Sequence, residues 1–145
     1  MKAKEVLKIL RLHFPKPEWA FIEELRLGSG WNSRRTKWEG RIDAWAMNCY
    51  PSKGLTTVSF EVKVSRGDWL RELNDPNKRK LAMTLCNKFY FVAPEGIISK
   101  EEVPDGCGLV EISKSRMRYT KYAPHRECPN PPWRFVASLA RRAQG

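Results

Sequence analysis

The sequence predicts an α/β domain built on one mixed sheet, with its elements in the order α-β-β-β-α-β-β-α. Three observations carry that prediction. Residues 3–14 place Ala3, Val6, Leu7, Leu10 and Phe14 at helical spacing. Residues 41–65 hold two runs of strand-forming residues around a turn. Beyond residue 65 the period becomes helical, then returns to short apolar runs at 88–94 and 108–112. A chain of 145 residues suits one compact domain, expected to span residues 1–145.

The first helix ends at "PKP", 15–17, because proline cannot continue the backbone ladder. In "WAFIEELRL", 19–27, a strand would alternate Trp19, Phe21, Glu23 and Leu25 with Ala20, Ile22 and Glu24. Residues 28–40 form a polar, Gly-rich, basic loop, and 41–49, "RIDAWAMNC", a second strand. "YPSKG" is a turn by composition, and 55–65, "LTTVSFEVKVS", a third strand. "SRGD" opens a short helix, with Ser65 and Asp68 at capping-box spacing. Asp75 and Pro76 are expected to start a second helical run reaching about Asn87, Asp75 as its cap. "KFYFVAP", 88–94, and "GLVEI", 108–112, are the fourth and fifth strands, and roughly 132–143 is helical, with Trp133 as its anchor.

The net charge of +11 favours a polyanionic partner. Nucleic acid comes first and an anionic membrane surface second, with an ordinary basic protein as the plain alternative. No apolar run approaches the roughly 20 residues that span a bilayer, and "MKAKEVLKIL" reads as an amphipathic helix rather than a signal peptide. Cys49, Cys86, Cys107 and Cys128 form no CxxC pair, so they are expected as reduced thiols in a cytoplasmic protein. His125 and Cys128 would need about two more ligands to hold zinc.

The chemistry concentrates in "SFEVKVSRGDW", 59–69. Glu61 and Lys63 share one face of the third strand with Ser59 and Ser65, while Val58, Phe60, Val62 and Val64 form the other. Alone, that is an ion pair on a solvated sheet face. Asp43 changes the balance, because an aspartate inside "RIDAWAM" is disfavoured in a strand. If the two strands are neighbours, Asp43 sits beside Glu61, and two close carboxylates repel unless a cation lies between them. A hard divalent ion such as Mg²⁺ suits carboxylate, carbonyl and water oxygens. The Val62 carbonyl is then a further ligand, Glu24 a carboxylate acting through water or on a second ion, and Lys63 a donor for charge on a phosphate.

The spacing of Asp43 and Glu61-Val62-Lys63 resembles the PD-(D/E)XK nuclease superfamily. The stretches "EELRLGSG", "RIDAWAM", "SFEVKVSRGDWLRELNDPNKRK", "FYFVAPEGII" and "EVPDGCGLVEI" resemble a group of small phage and bacterial proteins, the MmcB-like DNA-repair nucleases, over about residues 19–112. The resemblance implies a single restriction-endonuclease-like domain, with an α-β-β-β-α-β core and a mixed central sheet flanked by helices. It implies an endonuclease that hydrolyses DNA phosphodiesters with Mg²⁺ or Mn²⁺, in DNA repair, recombination or phage DNA processing. Asp43 and Glu61 would be metal ligands and Lys63 the catalytic lysine. Ile42 stands where the superfamily motif has proline, a common replacement.

DNA contacts are expected from Arg34, Arg35, Lys37 and Arg41 in the loop before Asp43, with Trp31 and Trp38 interleaved. Lys78 follows on the helix after the third strand, and there surface charge is the equal alternative. If 114–120 is a strand, Lys114, Arg116 and Arg118 share a face, against the alternative of a solvated edge. A homodimer is among the expected assemblies, since small nucleases of this type often pair to cut two strands. The competing class of function is a non-catalytic DNA- or RNA-binding module on the same fold. Two carboxylates facing an anionic backbone speak against it.

Overall fold

The computed structural model describes residues 1–27 and 40–145. Helix α1 (Ala3–Leu12) is followed by β1 (Trp19–Arg26), β2 (Arg41–Asn48) and β3 (Thr57–Val62). Then come α2 (Arg66–Asn74), a 3₁₀ turn (Pro76–Arg79), α3 (Lys80–Met83) and β4 (Lys88–Pro94). Strands β5 (Gly108–Ser113) and β6 (Arg116–Lys121) and helix α4 (Trp133–Ala143) complete the chain. The strands form one sheet in sequence order. The β1–β2, β2–β3 and β5–β6 pairs are antiparallel, and β3–β4 and β4–β5 are parallel. This is an α/β domain on a mixed sheet flanked by helices, as the periodicities predict.

Alternation on the strands sorts the core. Val58, Phe60, Tyr90, Val92, Val110 and Ile112 pack against Val6, Leu7 and Leu10 of α1. On the opposite face, Phe89, Phe91 and Leu109 meet Trp69 of α2, and Trp45 meets Phe135 of α4 with ring centroids 5.5 Å apart. Both faces are covered, as a sheet with parallel strands requires. Among the described residues no helix is long and apolar enough to cross a membrane.

Several expectations are corrected. The sheet has a sixth strand, β6, absent from the predicted order. Strand β3 ends at Val62, not near residue 65, because Ser65 has turned out to cap α2, accepting from the Asp68 N–H at 3.1 Å. The helical run expected to reach Asn87 stops at Met83. Asn87 instead binds the start of β3: its side-chain oxygen accepts from the Thr57 N–H at 2.9 Å, and its own N–H donates to the Thr57 carbonyl at 3.0 Å. Asp75 makes no side-chain cap. Trp133 is 85% exposed, and Phe135 anchors α4 in its place. Phe135 and Leu139, four apart, form the buried stripe, and Trp133 falls outside it.

Candidate active site

The register across β1, β2 and β3 lines up three carboxylates. Pairing Ala44 with Phe60 sets Asp43 across from Glu61, and pairing Glu23 with Ala44 and Leu25 with Ile42 sets Glu24 across from Asp43. All three line one open cleft of about 650 Å³. Glu23 faces the other way and pairs with Arg11 of α1, so the alternation read from the sequence selects Glu24 correctly. Glu24 lies at φ +50°, a left-handed conformation unusual for a residue with a side chain, and the β1 ladder is interrupted there.

Asp43 is built into the end of the β2–β3 ladder. Its Oδ2 accepts the Val62 N–H at 2.8 Å, in the place of a strand carbonyl. Its Oδ1 lies 3.8 Å from the Arg41 guanidinium. Burial pushes the Asp43 carboxyl above its usual pKa, against the pull of the Val62 N–H and of Arg41, Lys63 and Lys78. Glu61 is pushed further, up to about 7, first by burial and then by the Asp43 charge. The Asp43 charge thus acts on Glu61, while the Asp43 shift itself comes from burial.

Lys63 is buried and does not line the cleft; its Nζ lies 3.5 Å from Glu61 and 3.0 Å from Glu72. Burial would lower its pKa, but the charges and hydrogen bonds of Glu61 and Glu72 outweigh that and raise it. Lys63 is therefore a fixed cation, not a base. Glu72 also accepts from Arg79 at 3.0 Å, and the Arg79 guanidinium lies over the Phe91 ring. This lysine–glutamate–arginine chain is almost wholly buried. The sequence reading does not single out Glu72. A signal exists: Glu72 lies three residues after Trp69 and beside Leu73, on the buried stripe of α2.

The expected nucleic-acid residues divide. Arg34, Arg35 and Lys37 lie outside the described residues. Arg41 and Lys78 line the cleft. Lys114, Arg116 and Arg118 do not. Lys114 sits in the β5–β6 turn at φ +56° rather than on a strand, and Arg118 is engaged by Glu111 at 3.0 Å. Their hairpin is three strand spacings from β3, roughly 14 Å. In their stead the cleft gains Arg26, and Ser138, Arg141 and Arg142 of α4. All four cysteines are free, and Cys128 donates to the Thr84 carbonyl at 3.3 Å. Among the described residues no three imidazole, thiol or carboxylate groups assemble into a complete metal-ligand set, at His125 and Cys128 or in the cleft.

No family model matches this chain, and no curated protein does. Among solved structures, a protein of unknown function from Silicibacter pomeroyi shares the fold. It is 17% identical, with a TM-score of 0.64 over 99% of this chain and 86% of that one. At that identity the likeness shows the fold alone.

Proposed function

We propose that the protein is a divalent-metal-dependent deoxyribonuclease that hydrolyses DNA phosphodiester bonds. The observation that carries this is the placing of Asp43 and Glu61 side by side, next to a buried lysine, in a cleft rimmed by cations. A binding protein gains nothing from an acid whose pKa is raised by burial and by a second acid beside it, in front of a polyanion. A cation between them removes that penalty. The donors are all oxygens, which suits Mg²⁺ or Mn²⁺. Asp43, Glu61 and the Val62 carbonyl would hold the ion, with Glu24 reaching it through water. Mg²⁺ commonly takes one or two carboxylates and completes its shell with water and substrate phosphate, so the Asp43 and Glu61 pair would suffice. When bound, the ion supplies Lewis-acid polarisation at the phosphate.

The chain's own residues do the rest. The Val62 N–H fixes Asp43 through Oδ2 and leaves Oδ1 for other work. Glu72 and Glu61 keep Lys63 protonated, so its role is to hold negative charge developing on the phosphate, not to accept a proton. Arg41 and Lys78 offset the repulsion between the carboxylates and the incoming strand.

The test is a cleavage assay on single-stranded, duplex, flapped and four-way-junction DNA, with and without Mg²⁺ or Mn²⁺. Asp43→Ala and Lys63→Ala, checked for folding by circular dichroism, should each lower the rate by about 10²–10³-fold. Binding without cutting on every substrate, unchanged in both variants, would select the non-catalytic DNA- or RNA-binding module instead. On that side stands the observation that no complete ligand set assembles among the described residues.

A further inference from the structure

The cleft has a wall that the resemblance does not assign. Helix α4 packs against β1 through Phe135 and Leu139, which fixes its rotation. Ser138, Arg141 and Arg142, spaced i, i+3 and i+4, then share one face, and all three border the cleft. The Arg142 guanidinium donates to the Glu24 carbonyl at 2.8 Å, which docks the last helical turn on the irregular point of β1. Arg141 is exposed and makes no ion pair or hydrogen bond among the described residues. Arginines in a last turn also suit the helix dipole. That effect requires no particular rotation, whereas these side chains border the carboxylates.

We propose that the last turn of α4 is a phosphodiester-binding wall, with Arg141 as its free cation. It borders the cleft from β1, and Lys78 borders it from the segment after β3. The inference rests on the nucleic-acid reading of the same cleft and names how that ligand is held. The three carboxylates span two strand spacings, about 10 Å. The floor is anionic, and cations from both sides hold the strand over it. No aromatic, Asn or Gln side chain lines the described cleft. The contact assigned to Arg141 is to the backbone, which positions a strand without reading its sequence.

The experiment measures fluorescence anisotropy of a fluorescein-labelled DNA oligonucleotide, single-stranded and annealed, over a salt series with EDTA present. Each lost phosphate contact lowers the slope of log K against log salt by about 0.7 on a single strand and 0.9 on a duplex. Arg141→Ala should lose about one contact. Arg141→Lys should keep it, and so should Lys4→Ala, which removes an exposed charge from α1 on the other face of the sheet. An unchanged slope in Arg141→Ala overturns the inference, as does an equal loss in Lys4→Ala. If wild type cuts DNA with Mg²⁺ while the Arg141→Ala slope stays unchanged, the nuclease reading stands and the wall falls. If the slope falls but no condition gives cutting, the wall stands and the nuclease reading falls. Wild type that binds neither DNA form removes both.

Discussion

Glu61, half-buried on β3, and Glu111, buried on β5, are two glutamates near the same end of the same sheet. The register places them against Phe91 and Ala93 of the strand between them. Their surroundings are opposite. Glu111 receives the Gly96 N–H at 2.9 Å, Arg118 at 3.0 Å and the Thr120 hydroxyl at 2.5 Å. Burial alone would raise its pKa, but these bonds outweigh it and bring it below the usual value. Glu61 has one cation at 3.5 Å, which it shares with Glu72, and a second acid across the ladder. Its pKa rises to about 7. A buried charge is therefore not itself a sign of chemistry. What separates the two is whether the fold satisfies the charge, and at Glu61 it does not.

The largest effect expected from breaking this contrast is at Glu72. Glu72→Ala leaves Lys63 and Arg79 buried without the carboxylate that joins them. It should cost about 3–5 kcal/mol in urea unfolding. A loss under about 1 kcal/mol would mean that water screens the chain as it does a surface pair. Next comes Glu111→Ala, which strands the Gly96 N–H and should cost about 1–3 kcal/mol. It should leave DNA cleavage unchanged. A collapse of cleavage in a folded Glu111→Ala variant would put the β5–β6 corner inside the site and erase the distinction.

The smallest effect is the most discriminating, because the two glutamates act on opposite limbs of the pH profile. Glu111 has a depressed folded pKa. Its stabilisation is present above the ordinary value of 4.5 and is lost as pH falls through the folded value. Glu61 has a raised folded pKa. Between 4.5 and about 7 the folded chain keeps a proton that the unfolded chain has released, so stability declines as pH rises through that window. Thermal melts across pH should show Glu61→Gln melting above wild type beyond pH 7 and converging with it near 4.5. Glu111→Gln should weaken the protein above pH 4.5 and converge with wild type in acid. Parallel profiles for the two variants would show that the glutamates do not differ as the geometry indicates.

Legibility followed the range of the interaction. The common face of Glu61 and Lys63, the opposite facing of Glu23 and Glu24, and the Ser65 cap are all properties of a few consecutive residues. The misfit of Asp43 in an apolar strand was legible for the same reason. Lys114, Arg116 and Arg118 looked like a nucleic-acid stripe because nothing nearby in sequence shows that Glu111 engages Arg118 across the hairpin. Glu72 did not stand out because its partners, Lys63 and Arg79, lie before and after its own helix. Trp133 looked like an anchor because size alone does not say which side of a helix is buried.

By itself the sequence determined most of the element types, the two faces of the third strand and which acidic and basic residues were candidates for a site. Covalent geometry repeats every two residues in a strand and every 3.6 in a helix, so side-chain direction is encoded locally. Only the tertiary structure decided that Asp43 stands across from Glu61, that among the described residues Arg118 is engaged and Arg141 is not, and that the C-terminal helix walls the cleft. Those outcomes depend on strand register and helix docking between residues up to 118 positions apart. They are set by which buried surfaces fit together, and no local period records that.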